Sequence, residues 1–302
     1  MMALVNRALV WFIPYLPKAF AARFAGRYVA GESVQEVLSV ARDLNDRGFE
    51  VTLDILGEHV ATSQEARDVT QAYVHLYGEL AAGGIKGNIS VKPTHLGLDL
   101  SAELCRDNFG QLLDAAQQHD NFLRIDMESS RQTDETLELY RDLAARYRHV
   151  GPVLQAYLRR SSGDLAQLTG EPLNFRLCKG IYLEPADIAF NDPGEINRNF
   201  IALLRQGLEG GAYVAIATHD QRLISAALDL IKELEADQAR LEFQVLYGVP
   251  MQGRLEQLLK AGHKVRVYVP FGEKWYDYGL RRLKENPAIA GYILKNIFHR
   301  AS

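Results

Sequence analysis

Only two cysteines, Cys105 and Cys178, occur in 302 residues, with no C-x-x-C and no Cys/His zinc spacing around them. That sets aside a disulfide scaffold and a cysteine-built metal centre. Both read as buried or incidental thiols in a reducing cytosol. Other signatures are missing too. No strand-like run leads into G-x-G-x-x-G, there is no H-E-x-x-H, and there is no G-x-S-x-G, so dinucleotide-fingerprint, zinc-protease and nucleophile-elbow readings lose their main support. An excess of positive charge is lacking as well. A net charge of -4 argues against nucleic acid as the main partner.

Acidic residues are absent from the first 31 positions, "MMALVNRALVWFIPYLPKAFAARFAGRYVAG", which carry Arg7, Lys18, Arg23 and Arg27. The apolar run there is broken by Pro14 and Pro17 and is too short to span a bilayer. A signal peptide with "ALVWFI" as its apolar centre is disfavoured, because basic residues continue past any cleavage point. Two readings stand side by side: a helical arm packed on the body of the protein, and a basic amphipathic segment making a peripheral contact with an anionic membrane.

What is present, from Glu50 onward, is a regular alternation. Short β-branched runs recur at "EVTLDIL" (50–56), "NISVKP" (88–93), "FLRID" (122–126), "PVLQAYL" (152–158), "NFRLCKG" (174–180), "AYVAIATHD" (212–220), "LEFQVLYG" (241–248) and "HKVRVYVP" (263–270). Segments of helical periodicity such as "SQEARDVTQAYVHLYGELAAGG" lie between them, several closed by glycine. Each gap leaves room for a crossover helix. Eight such strands without a linker predict an α/β fold, a (βα)8 barrel over residues 47–302 preceded by an N-terminal helical arm at 1–46. A doubly wound open sheet is the alternative, and no phosphate fingerprint supports it.

Barrel chemistry sits at the C-terminal ends of the strands. The late polar residues here are Asp54, Lys92, Asp126, Gln155, Lys179, Thr218-His219-Asp220, Gln244 and Tyr268, with Arg176 inside strand five. Any one of them alone would be an ordinary loop residue. Together they predict a polar, partly cationic mouth suited to an anionic substrate or a phosphate-bearing cofactor. A Schiff-base lysine, Lys92 or Lys179, is the alternative chemistry, because a desolvated strand-end amine can have a lowered pKa. No metal-ligand set is recognisable, since His219-Asp220 has no further ligand at a known spacing.

The segment "YGLRRLKENP" places Tyr278, Arg281, Arg282 and Glu285 on one helix face, and Asn286-Pro287 ends that helix. For the two arginines to reach the mouth, this last barrel helix must lie over the strands. "AIAGYILKNIF" (288–298) is apolar enough to supply the conventional outer helix in its place.

These motifs carry a resemblance. "ISVKPT", "IDMES", "VLQAYL", "FRLCKGIY", "ATHD", "EFQVLYG" and "RVYVPFGEKWYDYGLRRLKEN", in that order over most of residues 85–298, resemble the proline dehydrogenase (proline oxidase) family, and the length fits its monofunctional bacterial form. The resemblance implies a distorted (βα)8 barrel, FAD at the mouth, and the last barrel helix above the strands. It implies hydride transfer from C5 of L-proline to the flavin N5, giving Δ1-pyrroline-5-carboxylate, with electrons passed on to a membrane quinone. A cytoplasmic enzyme, peripheral on the inner face of the membrane, follows as an expectation.

Carried over motif by motif, the resemblance makes Lys92, Arg281 and Arg282 carboxylate ligands. Leu246, Tyr268 and Tyr278 become walls around the proline ring, Asp126 an active-site carboxylate, and Arg176 the contact to the reactive edge of the flavin. Met127, Gln155, Lys179, Gly180, Ile181, Thr218 and His219 become FAD contacts, and Glu285 orients an arginine on its own helix. At Gly180 a side chain is expected to block backbone approach to the cofactor. Leu183 departs from relatives that carry an aromatic there, while Tyr268 favours proline over hydroxyproline by filling the space of a 4-hydroxyl.

Overall fold

The computed structural model describes residues 27–168, 173–276 and 278. Each β-branched run contains a strand: β1 (Glu50–Ile55), β2 (Gly87–Val91), β3 (Leu123–Ile125), β4 (Val150–Gly151) with β5 (Val153–Gln155), β6 (Asn174–Cys178), β7 (Tyr213–Ala217), β8 (Leu241–Leu246) and β9 (Val265–Phe271). All pairings are parallel, in the order β4-β3-β2-β1-β9-β8-β7-β6-β5.

The sheet closes through one stretch of chain. β4 pairs with β3 and β5 pairs with β6, and the two are separated only by Pro152. Proline has no N–H for a ladder, so the strand breaks there into two short pieces. The Pro152 carbonyl is still used, accepting from Arg176 N at 3.0 Å and from Arg124 Nη1 at 3.0 Å. Gly151 permits the crossing, since an added Cβ would lie 1.8 Å from the Asn174 carbonyl oxygen. Eight strand positions therefore form a distorted (βα)8 barrel.

The described α-helices are α1 (Val34–Asp46), α2 (Ser63–Ala82), α3 (Ala102–Gln118), α4 (Thr133–Ala144), α5 (Ser161–Leu168), α6 (Pro193–Glu209), α7 (Gln221–Glu233) and α8 (Arg254–Lys260). α1 starts in a capping box formed by Ser33 and Glu36 and buries Val37, Leu38, Ala41 and Leu44, one helical face.

Strand parity divides the barrel into two environments. Val51, Leu53, Ile89, Val91, Phe175, Leu177, Phe243 and Val245 join the helices in one apolar core. The alternate positions, Thr52, Asp54, Asn88, Ser90, Arg124, Asp126, Arg176, Glu242, Gln244 and Arg266, are buried as well and are polar. Barrel interiors are usually filled by branched aliphatics. This interior is filled by hydrogen-bonded polar and charged side chains, and the charges are tolerated only when paired.

Candidate active site at the barrel mouth

Lys92 lies just beyond β2 and precedes a 3-10 turn, Pro93–Leu96, with proline at its first position. Its Nζ donates to Asp54 Oδ2 at 3.0 Å, across from the end of β1. Asp54 also accepts from Tyr73 Oη of α2 at 3.0 Å and from Tyr268 Oη of β9 at 2.7 Å. Tyr268 Oη lies 3.0 Å from Asp126 Oδ2, so its one proton serves two carboxylates in turn. Asp126 Oδ1 accepts from Arg176 Nη1 at 2.7 Å and from Ser90 Oγ at 2.5 Å. The Arg176 guanidinium stands 5.1 Å from the Tyr268 ring centre, a cation–π contact, and its Nε donates to Gln244 Oε1 at 2.6 Å. Five strands thus contribute to one continuous line of charge across the mouth.

The two carboxylates differ in kind. Burial pushes Asp126 up, but Arg176 and Lys92 pull harder and hold it below the usual carboxylate range. Asp54 is raised, chiefly by burial, with the Lys92 charge opposing and Asp126 adding repulsion. Burial pulls Lys92 down, yet Asp54 and Asp126 together outweigh it and raise its pKa. A Schiff-base lysine needs the opposite shift. The aldolase alternative therefore loses Lys92, and Lys179 is ion-paired to Asp220 at 2.7 Å.

A second group occupies the β6 and β7 ends. Asp220 caps α7 by accepting from Arg222 N at 3.0 Å and Leu223 N at 3.4 Å, and the same carboxylate holds Lys179. His219 Nε2 accepts from Leu246 N at 2.8 Å, so in the neutral ring the proton sits on Nδ1. Gly180 has φ +102°, and an added Cβ would lie 2.1 Å from the Tyr157 ring. Tyr157 and the backbone conformation therefore require glycine here, in addition to any close approach of a cofactor.

One cavity of about 720 Å³ takes in Lys92, Asp126, Met127, Gln155, Arg176, Lys179, Gly180, Ile181, Thr218, His219, Leu246, Tyr268 and Tyr278. Those sites were named from scattered motifs, and they converge. Tyr278 among them shows that the segment after β9 reaches the mouth, while Arg281, Arg282 and Glu285 lie outside the described residues. Leu183 is fully exposed. Asp54 and Gln244, expected at the polar mouth without an individual role, also line the cavity, and Ser90 and Tyr73, which the sequence does not single out, support it by hydrogen bonds. Parity would have found Ser90, two residues before Lys92 on the same face of β2.

Two buried atoms on cavity-lining side chains have no hydrogen-bond partner among the described residues: Arg176 Nη2, a donor, and Gln155 Oε1, an acceptor. Buried polar atoms rarely stay unpaired. A polar ligand carrying both an acceptor and a donor edge fits them.

A parallel (βα)8 barrel whose mouth holds one charged, hydrogen-bonded cavity, with Lys92, Arg176 and Lys179 each paired to a carboxylate, defines the class: a barrel enzyme for a small polar substrate. Comparison narrows it. The family model described as proline dehydrogenase matches residues 37–294. The chain is 36% identical over 284 residues to Proline dehydrogenase 1 of Bacillus subtilis (strain 168), covering 94% of each. It is 34% identical over 278 residues to Proline dehydrogenase of Deinococcus radiodurans, covering 90% of this chain and 89% of that one. Among solved structures it resembles proline utilization A from Bdellovibrio bacteriovorus, inactivated by N-propargylglycine, with a TM-score of 0.82 and 28% identity over 88% of this chain. It spans 33% of that longer protein. The chain belongs to the proline dehydrogenase family.

Proposed function

We propose that this protein oxidises L-proline to Δ1-pyrroline-5-carboxylate with FAD and delivers the electrons to a membrane quinone. The observation that carries this reading is the hydrogen-bonded line Lys92–Asp54–Tyr268–Asp126–Arg176 inside one cavity of a family member.

Met127, Gln155, Lys179, Gly180, Ile181, Thr218 and His219 would hold the FAD, with Arg176 Nη2 and Gln155 Oε1, which lack partners among the described residues, as its polar contacts. Bound there, FAD supplies the two-electron acceptor. Lys92, charged at neutral pH, binds the proline carboxylate together with Arg281 and Arg282. Tyr268, Leu246 and Tyr278 pack the pyrrolidine ring. Tyr268 is well suited, because its hydroxyl is pinned by Asp54 and Asp126 and its ring is therefore fixed. Asp126 holds the Arg176 guanidinium in place beside the reacting centre. Overall, proline loses a hydride from C5 and a proton from nitrogen.

A quinone acceptor sets reoxidation at a membrane surface, and the basic segment 1–31 supplies charge for a peripheral contact on the cytoplasmic face. No helix among the described residues is long and apolar enough to cross a membrane. The test is to load purified protein with FAD and supply L-proline and a soluble quinone analogue. Retained flavin colour with proline-dependent quinone reduction supports the reading. Failure to retain FAD, or retention without proline-dependent reduction, contradicts it.

A further inference from the structure

Gln244 is buried at 3% exposure, and its carboxamide stands between two groups of fixed character. Its Oε1 accepts from Arg176 Nε at 2.6 Å, and its Nε2 donates to Glu242 Oε1 at 2.5 Å. The reverse orientation is excluded. It would set amide hydrogens against guanidinium hydrogens and the amide oxygen against a carboxylate.

Glu242 lies one inward step deeper on the same strand. Arg266 holds it through Nε at 2.9 Å and Nη2 at 3.1 Å, and Tyr213 Oη donates to it at 2.9 Å. Burial pushes its carboxyl up, but Arg266 more than reverses this and leaves it at about 2, so it is acceptor-only at neutral pH. The order Arg266, Glu242, Gln244, Arg176 is therefore directional, each group dictating how the next must turn. With Nε on Gln244 and Nη1 on Asp126 and Ser90, the Arg176 guanidinium cannot rotate. Among the described residues, Nη2 is the nitrogen left without a partner.

We propose that Gln244 and Glu242 are positioning residues for the flavin chemistry, fixing Arg176 so that Nη2 is presented to bound FAD and favours its reduced form. This rests on the function proposed above. A purely structural role for the pair predicts something different: lower stability with an unchanged flavin.

The experiment uses the full FAD-loaded chain and measures the midpoint potential of the flavin by anaerobic spectroelectrochemistry, alongside Tm. Gln244→Met keeps the side-chain length and removes both hydrogen bonds without adding charge. Reduced FAD should weaken about tenfold more than oxidised FAD, lowering the potential by about 30 mV for a two-electron couple. Glu242→Gln frees the Gln244 amide to turn and should move the potential the same way by less. Should Gln244→Met not fold, Glu242→Gln decides alone. Wild-type potentials in folded, loaded variants overturn this inference while leaving the proposed function standing. A wild-type chain that takes up no FAD overturns both.

Discussion

Arg176 and Arg266 are buried arginines in one barrel, and they are finished differently. Arg266 uses every nitrogen: Nε and Nη2 on Glu242, Nη2 also on Glu50, and Nη1 on the Val51 carbonyl. Arg176 commits Nε and Nη1 and leaves Nη2 without a partner among the described residues, on a side chain that lines the cavity. Burying a guanidinium is costly, and a fully engaged one serves to tie strands together. One that keeps a donor in hand beside a cavity is set for a ligand. Between these two, saturation and not burial or charge marks the site, and it does so only beside the cavity: Arg124, whose Nε also lacks a partner among the described residues, does not line it.

Exchanging each arginine for methionine tests that contrast with the largest expected effects. Arg266→Met leaves the Glu242 and Glu50 carboxylates without their guanidinium and should cost about 3–5 kcal/mol in a denaturant titration. Arg176→Met should cost less, because Asp126 keeps Ser90, Tyr268 and the nearby Lys92 charge. In function the order should invert: Arg176→Met should slow proline-driven flavin reduction by roughly 10²–10³-fold. Equal losses of stability from the two would break the contrast.

Acid sharpens it next. Glu242 is held at about 2 against an ordinary 4.5, so its stabilisation is complete above 4.5 and lost as pH falls towards 2. Glu242→Gln should flatten the acid limb of the stability–pH curve by on the order of 3 kcal/mol. Asp54 at the mouth runs the other way. Its raised value makes the folded state hold the proton longer, so its contribution is fullest at low pH and declines as pH rises through that value. An acid limb unchanged in Glu242→Gln would remove the Arg266 pair as its source.

Smaller effects concern the substrate. Lys92→Met should raise the KM for proline about ten- to a hundredfold, a charge-assisted contact of roughly 1.5–3 kcal/mol, with FAD content kept. Loss of FAD in step with KM would place Lys92 in the cofactor site instead. Smallest of all, Tyr268→Ser should shift the proline-to-hydroxyproline ratio of kcat/KM several-fold towards hydroxyproline, while Tyr268→Phe, which keeps the ring, should hold it. A shift in Tyr268→Phe would assign selectivity to the hydroxyl bonded to Asp54 and Asp126.

The barrel was legible because its eight apolar runs and intervening helical periods are strong, and each run holds a strand. The break at Pro152 was not, because the extra pair Val150–Gly151 is too short to show a period, and only the pairing partners reveal it. At the mouth, Lys92, Asp126, Arg176 and Tyr268 were named from motifs and meet in space. The strand-end pattern places Asp54 and Gln244 at the polar mouth but assigns neither a partner, since nothing local says that Asp54 faces Lys92 or that Glu242 orients Gln244. At Gly180 the sequence offers close approach to a cofactor as the reason for glycine, while the Tyr157 ring supplies a second reason that depends on residues far apart in the chain.

The most direct measurement is anaerobic rapid mixing of the FAD-loaded protein with L-proline, followed by flavin absorbance in a single turnover. Full bleaching of the oxidised flavin is expected, with Δ1-pyrroline-5-carboxylate formed in equal amount. A flavin that stays oxidised in the presence of saturating proline would contradict it.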